Sequence, residues 1–240
     1  MINIQSISKS YGKAVILKDV TTQFEPGLIT GLIGPSGAGK TTLIKCILGM
    51  TTMDSGTITI NGNRIPNREI LRSIGYMSQS DALFDDLTAV ENLKFFAKLY
   101  IHRALKLDIT EQIERTLEIV NLTHEKHKKV KAFSGGMKRR LSLAISMIQN
   151  PDILILDEPT VGIDPRLRKS IWNDLFQFRD EGKTILITTH VLDEADKCDR
   201  LLLMREGQII SYGTPNEIKS SYNVNTIEDV FLALGDGAHD

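Results

Sequence analysis

The sequence predicts an α/β protein. Its core is a mostly parallel sheet, preceded by an N-terminal antiparallel β subdomain and interrupted by an inserted α-helical subdomain. Three observations carry this reading. Near-continuous apolar strands at Leu28–Ile33, Ile153–Leu156 and Thr184–Thr189 alternate with helical segments, the pattern of a parallel sheet covered on both faces. A glycine-rich turn joins the first of these strands to a helix. Between Thr88 and Gln149 the apolar period switches to that of helices.

The elements follow in order. Residues 1 to 33 alternate apolar and polar, with turn residues at Tyr11-Gly12-Lys13 and Pro26-Gly27, and predict short strands. A helix is expected from 40 to about Gly49. Thr57–Ile60 followed by Asn61-Gly62 predicts a strand entering a type I′ hairpin turn. Ile74–Ser78 predicts a short buried strand that ends at Gln79. In the helical stretch, Val90, Leu93, Lys94 and Ala97 are expected on one face, and Ile113, Leu117 and Val120 on the next. The basic run Lys126 to Lys131 reads as a solvated loop. A helix is expected from Pro165, with Asp164 as its N-cap. Leu201–Met204 and Gln208–Ile210 flank Glu206-Gly207 as a terminal hairpin, and two short helices follow Thr214.

The chain has 240 residues, room for one large domain or a core with a subdomain. The formal net charge is −1, which offers no electrostatic case for a nucleic-acid partner. Cys46 and Cys198 are far apart and form no Cys-x-x-Cys, which fits a reducing compartment and no cysteine metal site. Met1 leads into polar Asn3 and Gln5, so no signal peptide is expected. No apolar run approaches the roughly 20 residues that span a bilayer.

The turn Gly34-Pro35-Ser36-Gly37-Ala38-Gly39-Lys40-Thr41, followed by Thr42, has the residues a phosphate-binding loop needs. Its glycines let successive backbone N–H groups curl around phosphate oxygens. The helix behind it aims the positive end of its dipole at the same place. Lys40 would reach the β- and γ-phosphates, and the Thr41 hydroxyl would ligate Mg²⁺. Asp157-Glu158 ends a buried strand, the side of an open α/β sheet where ligands bind. One acid there can hold Mg²⁺ and the other can polarise an attacking water. Ser134-Gly135-Gly136 opens a second helix with a good N-cap and exposed N–H groups, a second anion-binding site in one chain.

The order phosphate loop, Gln79, Ser-Gly-Gly, Asp-Glu, Asp164, His190 resembles an ATP-binding cassette (ABC) ATPase, with a P-loop NTPase core, over nearly the whole chain. The resemblance implies a single ABC ATPase domain over 1–240, with a catalytic core at 1–86 and 150–222, a helical subdomain at 87–149 and a tail at 223–240. It implies a head-to-tail homodimer in which ATP lies between the phosphate loop of one copy and the Ser134-Gly135-Gly136 helix of the other. In that scheme Gly34 to Thr42 cradle the phosphates and Mg²⁺. Gln79 senses Mg²⁺ and the lytic water. Asp157 assists the metal, Glu158 is the general base, and His190 contacts the γ-phosphate. Tyr11 stacks on adenine. A separate integral membrane subunit would receive the motion near Gln79, with Phe84 and Leu87 as contact candidates, and the chain would sit in the cytoplasm on the inner face of the membrane.

The family's Leu-Ser-Gly-Gly-Gln is here Phe133-Ser134-Gly135-Gly136-Met137, continued by Lys138-Arg139-Arg140-Leu141. Ser and both glycines remain, while the polar contact of a Gln is put in doubt. This variant, Val161–Pro165 and the tail 226–232 resemble the ABC-2-type exporter branch, whose cargo includes drugs, lipids and polysaccharides. The alternative is a soluble ABC-type ATPase serving macromolecular or iron–sulfur cluster assembly. A DNA-repair ATPase would carry a long coiled coil, and a small-molecule kinase would lack the Ser134 site.

Overall fold

The computed structural model describes residues 1–80, 82–101 and 108–236. Asp81, residues 102–107 of the expected helical subdomain and residues 237–240 of the expected tail lie outside the described residues. The chain forms two units, one of Met1–Asn67 with Leu186–Asp240 and one of Arg68–Ile185. The expected subdomain 87–149 falls within the second.

In the first unit, β1 (Ile2–Tyr11) and β2 (Ala14–Phe24) form an antiparallel hairpin. They are longer than the short strands expected, because register shifts after Ile4, Ile7 and Lys9 keep the pairing going where strict alternation breaks down. The apolar side chains Ile2, Ile4, Ile7, Leu17, Val20 and Phe24 are buried on one face. β3 (Ile29–Ile33) is buried at all five positions, as its unbroken apolar run requires. It leads into α1 (Lys40–Ile47), which buries Leu43, Ile44, Cys46 and Ile47. Gly49 follows at φ 65°, the left-handed exit that glycine allows at a helix end. β4 (Ser55–Ile60) pairs with β1, and with β5 (Asn63–Arg64) across Asn61-Gly62. Both turn residues have positive φ, 49° and 79°, as a type I′ turn demands.

The second unit opens with α2 (Arg68–Leu71) and β6 (Ile74–Met77). Then come α3 (Ala89–Tyr100), α4 (Ile109–Ile119) and α5 (Gly135–Met147). A capping box between Thr88 and Glu91 starts α3. Its buried stripe is Ala89, Leu93, Phe96 and Ala97, the i, i+4, i+7, i+8 rows of one face. That stripe corrects the expected face: Val90 is only half-buried at its edge, and Lys94 turns to water. Ile113, Leu117 and Val120 are buried as expected. The basic run stays at the surface, where Lys126 pairs with Glu114 at 2.7 Å and Lys131 with Asp86 at 3.0 Å. β7 (Ile153–Asp157) pairs in parallel with β6 in the register Ile74 with Ile153 and Met77 with Leu156. α6 (Pro165–Asp180) is capped by Asp164, whose side chain accepts from the Leu167 N–H at 3.1 Å.

β8 (Thr184–Thr188) is the strand at which the chain passes from the second unit back to the first. After α7 (Leu192–Ala195), β9 (Arg200–Arg205) pairs in parallel with β3 and antiparallel with β10 (Gln208–Gly213). The connecting Glu206 and Gly207 lie at φ 50° and 81°. α8 (Pro215–Ser221) and α9 (Ile227–Asp236) end the described chain. Among the described residues no helix is long and apolar enough to cross a membrane.

Candidate nucleotide site

The phosphate loop lies between buried β3 and α1 of the first unit. Gly37 and Gly39 have φ of 81° and 104°, a region that costs an L side chain strain. Gly34 is needed for another reason: a Cβ there would run into the Met204 backbone oxygen of the adjacent strand. α1 has no side-chain cap and no acid in its first turn. The first N–H groups of a helix have no intrahelical carbonyl to bond, and an external acceptor can take them. Pro35, Ser36, Gly37 and Thr41 are exposed, Thr42 is half-buried and Ala38 is buried. Lys40 folds over the loop, its Nζ donating to the oxygens of Gly34 at 2.6 Å and Pro35 at 3.0 Å. A cradle of glycine N–H groups beside a lysine and a threonine hydroxyl suits a polyphosphate.

Tyr11 ends β1 in the same unit and is 49% exposed. Its hydroxyl donates to Thr51 Oγ1 at 3.4 Å, and Lys9 Nζ lies 5.1 Å from its ring centre. Lys9 in turn pairs with Asp54 at 3.5 Å. Asp54 accepts from the Ser10 N–H at 2.7 Å, and that bond holds its carboxyl below the usual range. The ring is therefore steadied at its edge while one side stays open. An offset stack on adenine is worth about 0.5–1.5 kcal/mol. Tyr11→Ala should accordingly raise the Kd for ATP roughly 2- to 10-fold, read by titration of a fluorescent ATP analogue. Unchanged affinity would remove Tyr11 from the site. His190, also in the first unit, is exposed just beyond β8. The chain around it is pinned by Thr189, whose hydroxyl donates to Glu194 at 2.9 Å and accepts from the Val191 N–H at 3.0 Å.

In the second unit, parallel pairing of β6 and β7 brings their C-terminal ends side by side. Gln79, just after β6, donates through Nε2 to Glu158 Oε2 at 3.3 Å. Asp157 is buried at the end of β7, and Glu158 stands beyond it at φ 54°. Left-handed backbone is uncommon for glutamate and marks a residue held in place by its surroundings. Those surroundings include a residue that the sequence reading passed over. Arg139, buried one turn into α5, donates through Nη1 to the oxygens of Ser78 at 2.8 Å and Gln79 at 2.9 Å. Through Nη2 it donates to the oxygens of Asp157 and of Glu158, the latter at 2.7 Å. A sequence signal existed: Arg139 is in helical register with buried Leu143 and Met147, so it had to face inward. Tyr76 on β6 is pushed to higher pKa by burial and then by the Asp157 charge, with Arg139 opposing.

Ser134 caps α5, its Oγ accepting from the Met137 N–H at 3.3 Å. Ser134 and Gly135 are exposed, and a Cβ on Gly135 would meet nothing within 4 Å. Among the described residues nothing crowds that position, so space is open there for an outside group to approach. A Cβ on Gly136, by contrast, would come to 2.9 Å from the Gly162 oxygen. Met137 is half-buried and offers no hydrogen-bonding amide where the family has Gln.

Residues 17–161 match the ABC transporter family. The chain belongs to that family. It is an ATP-binding, ATP-hydrolysing cassette with the α/β fold expected of it. The cassette is 40% identical over 234 residues to the Nod factor export ATP-binding protein I of Burkholderia thailandensis, covering 95% of this chain and 75% of that one. It is 38% identical over 232 residues to the linearmycin resistance ATP-binding protein LnrL of Bacillus subtilis, covering 95% and 73%. It is also 38% identical over 242 residues to ABC transporter G family member 23 of Dictyostelium discoideum. There the match takes 98% of the cassette but it spans only about a third, 34%, of the longer protein. Among solved structures, an ATP-binding subunit of an ABC transporter superposes with a TM-score of 0.89 at 26% identity, covering 98% of this chain and 99% of that one. A dimeric bacterial ABC transporter cassette gives 0.79 at 25% identity, covering 89% and 98%.

Proposed function

We propose that this cassette is the ATPase subunit of an exporter and acts with a separate membrane-spanning subunit. The observation that carries the reading is the pair of phosphate-suited helix starts, α1 behind its glycine loop and α5 behind exposed Ser134-Gly135. One nucleotide does not need two such ends within one molecule. Two copies arranged head to tail do, each ATP lying between the loop of one and the α5 start of the other. The dimeric cassette to which this chain is similar supports the pairing of two copies. The relatives with export and drug-resistance names support the exporter branch.

The roles follow the chemistry of each group. Gly34 to Thr42 bind the phosphates, and Lys40 leaves its two loop carbonyls to meet them. Mg²⁺ supplies charge neutralisation at the phosphate oxygens when bound, and the Thr41 hydroxyl and Asp157 carboxylate are hard oxygen ligands that suit it. Gln79 and Glu158 hold a water, and Glu158 takes its proton as the water oxygen bonds the γ-phosphorus and the bond to the bridging oxygen breaks, leaving ADP and inorganic phosphate. His190 orients the γ-phosphate, and Tyr11 stacks on adenine. The whole is one ATPase domain, with core 1–86 and 150–222, helical subdomain 87–149 and tail 223–240. It works in the cytoplasm at the inner face of the membrane. Phe84 is 43% exposed and packs edge-on to Phe95 at 4.8 Å, and with half-buried Leu87 it offers an apolar contact for the membrane subunit.

The test has two arms. ATP turnover by the purified chain should require Mg²⁺ and stop with a chelator. Affinity purification from solubilised membranes should bring down an integral protein with several apolar segments of roughly 20 residues. Turnover without co-purification of such a protein would favour the soluble assembly ATPase instead.

A further inference from the structure

Four hydrogen bonds from Arg139 join two loops to one helix. Ser78 and Gln79 follow β6, and Asp157 and Glu158 follow β7. The guanidinium bridges a carbonyl pair on each side with a different nitrogen, a geometry that its planar fork permits and a lysine ammonium cannot reproduce. The helix that carries it is the one capped by Ser134. Glu158 is held at φ 54°, and Gln79 meets its carboxylate at 3.3 Å. We propose that Arg139 is a positioning residue for hydrolysis, fixing the backbones of Gln79 and Glu158 so that amide and carboxylate share one water. This rests on Glu158 being the general base.

The physical reason is the sensitivity of proton abstraction to geometry. The carboxylate must stand within hydrogen-bond reach of the water as it attacks. A displacement of about 1 Å at such a site can lower a rate by on the order of 100-fold. Arg139 reaches the site through the backbone oxygens of Ser78, Gln79, Asp157 and Glu158. It therefore acts on kcat through two residues and leaves ATP binding at the phosphate loop alone. A buried arginine with a merely structural role would lower stability without coupling to Gln79.

The experiment compares wild type, Arg139→Lys, Gln79→Ala and the double variant, with Glu158→Gln alongside. Arg139→Lys should lower kcat 10- to 100-fold while the KM for ATP stays within about 2-fold. The double variant should be little worse than the more impaired single one, since both changes act on the same water. Wild-type kcat in Arg139→Lys, or effects that multiply in the double variant, would overturn the proposal. If Glu158→Gln keeps full turnover, the general-base reading falls instead, so the two failures are distinguishable. Should Arg139→Lys not fold, side-chain NMR of the wild type decides. Separate, slowly exchanging Nη signals for Arg139 are expected, and one averaged, fast-exchanging signal would overturn the clamp.

Discussion

Glu158→Gln should lower ATP turnover by roughly 10²- to 10⁴-fold while ATP binding persists. The substitution keeps the size and planarity of the side chain and removes only its basicity. The carbonyl bonds from Arg139 involve the backbone of residue 158, so they survive the change. Gln79 still meets an oxygen if the new amide turns its carbonyl toward it, as the 3.3 Å contact requires. The loop should therefore keep its shape, including the left-handed backbone at φ 54°. Phosphate release measured in single turnover, beside a binding titration, separates the two effects. Unimpaired release would take Glu158 out of the mechanism. The same variant should accumulate the ATP-closed dimer, because the step that reopens it is blocked.

Ser134→Arg should abolish ATP-induced dimers of this Glu158→Gln form without unfolding the chain. Ser134 is exposed, and its side chain caps α5 through the Met137 N–H. Losing a cap costs about 1 kcal/mol, a small part of a domain's stability. A long cationic side chain at that place would fill the space left open beside Gly135, where the proposed head-to-tail arrangement puts the partner's nucleotide. Sedimentation with ATP should show monomers only, and circular dichroism should show a fold like the wild type's. Normal ATP-dependent dimers would sink the shared-site arrangement.

How far the site was legible varies with the kind of residue. The phosphate loop could be read because its chemistry is local: strand, glycines, lysine, threonine and helix follow one another in the single run Ile29 to Ile47. The I′ turn at Asn61-Gly62 and the hairpin across Glu206-Gly207 were legible for the same reason. The face of α3 was misjudged by one position, since counting apolar residues does not say which way the helix is turned against its neighbours. Leu93 and Ala97 fit two stripes, and packing chose the one that adds Ala89 and Phe96 rather than Val90 and Lys94. β1 and β2 were read as short because bulges, which break alternation, do not break hydrogen bonding.

The residue order by itself determined the α/β class, the phosphate loop, the capped start of α5 and the acid pair at the end of β7. Each of these is written in a short run of neighbouring side chains whose backbone preferences agree. Only the tertiary structure decided that Gln79 and Glu158 meet, although 79 positions separate them. It alone placed Arg139 beneath both, at the oxygens of two different loops. Those contacts depend on the parallel pairing of β6 with β7 and on which face of α5 is buried. A parallel pair brings together residues far apart in the chain, and backbone oxygens, which every residue carries, leave no mark in the sequence.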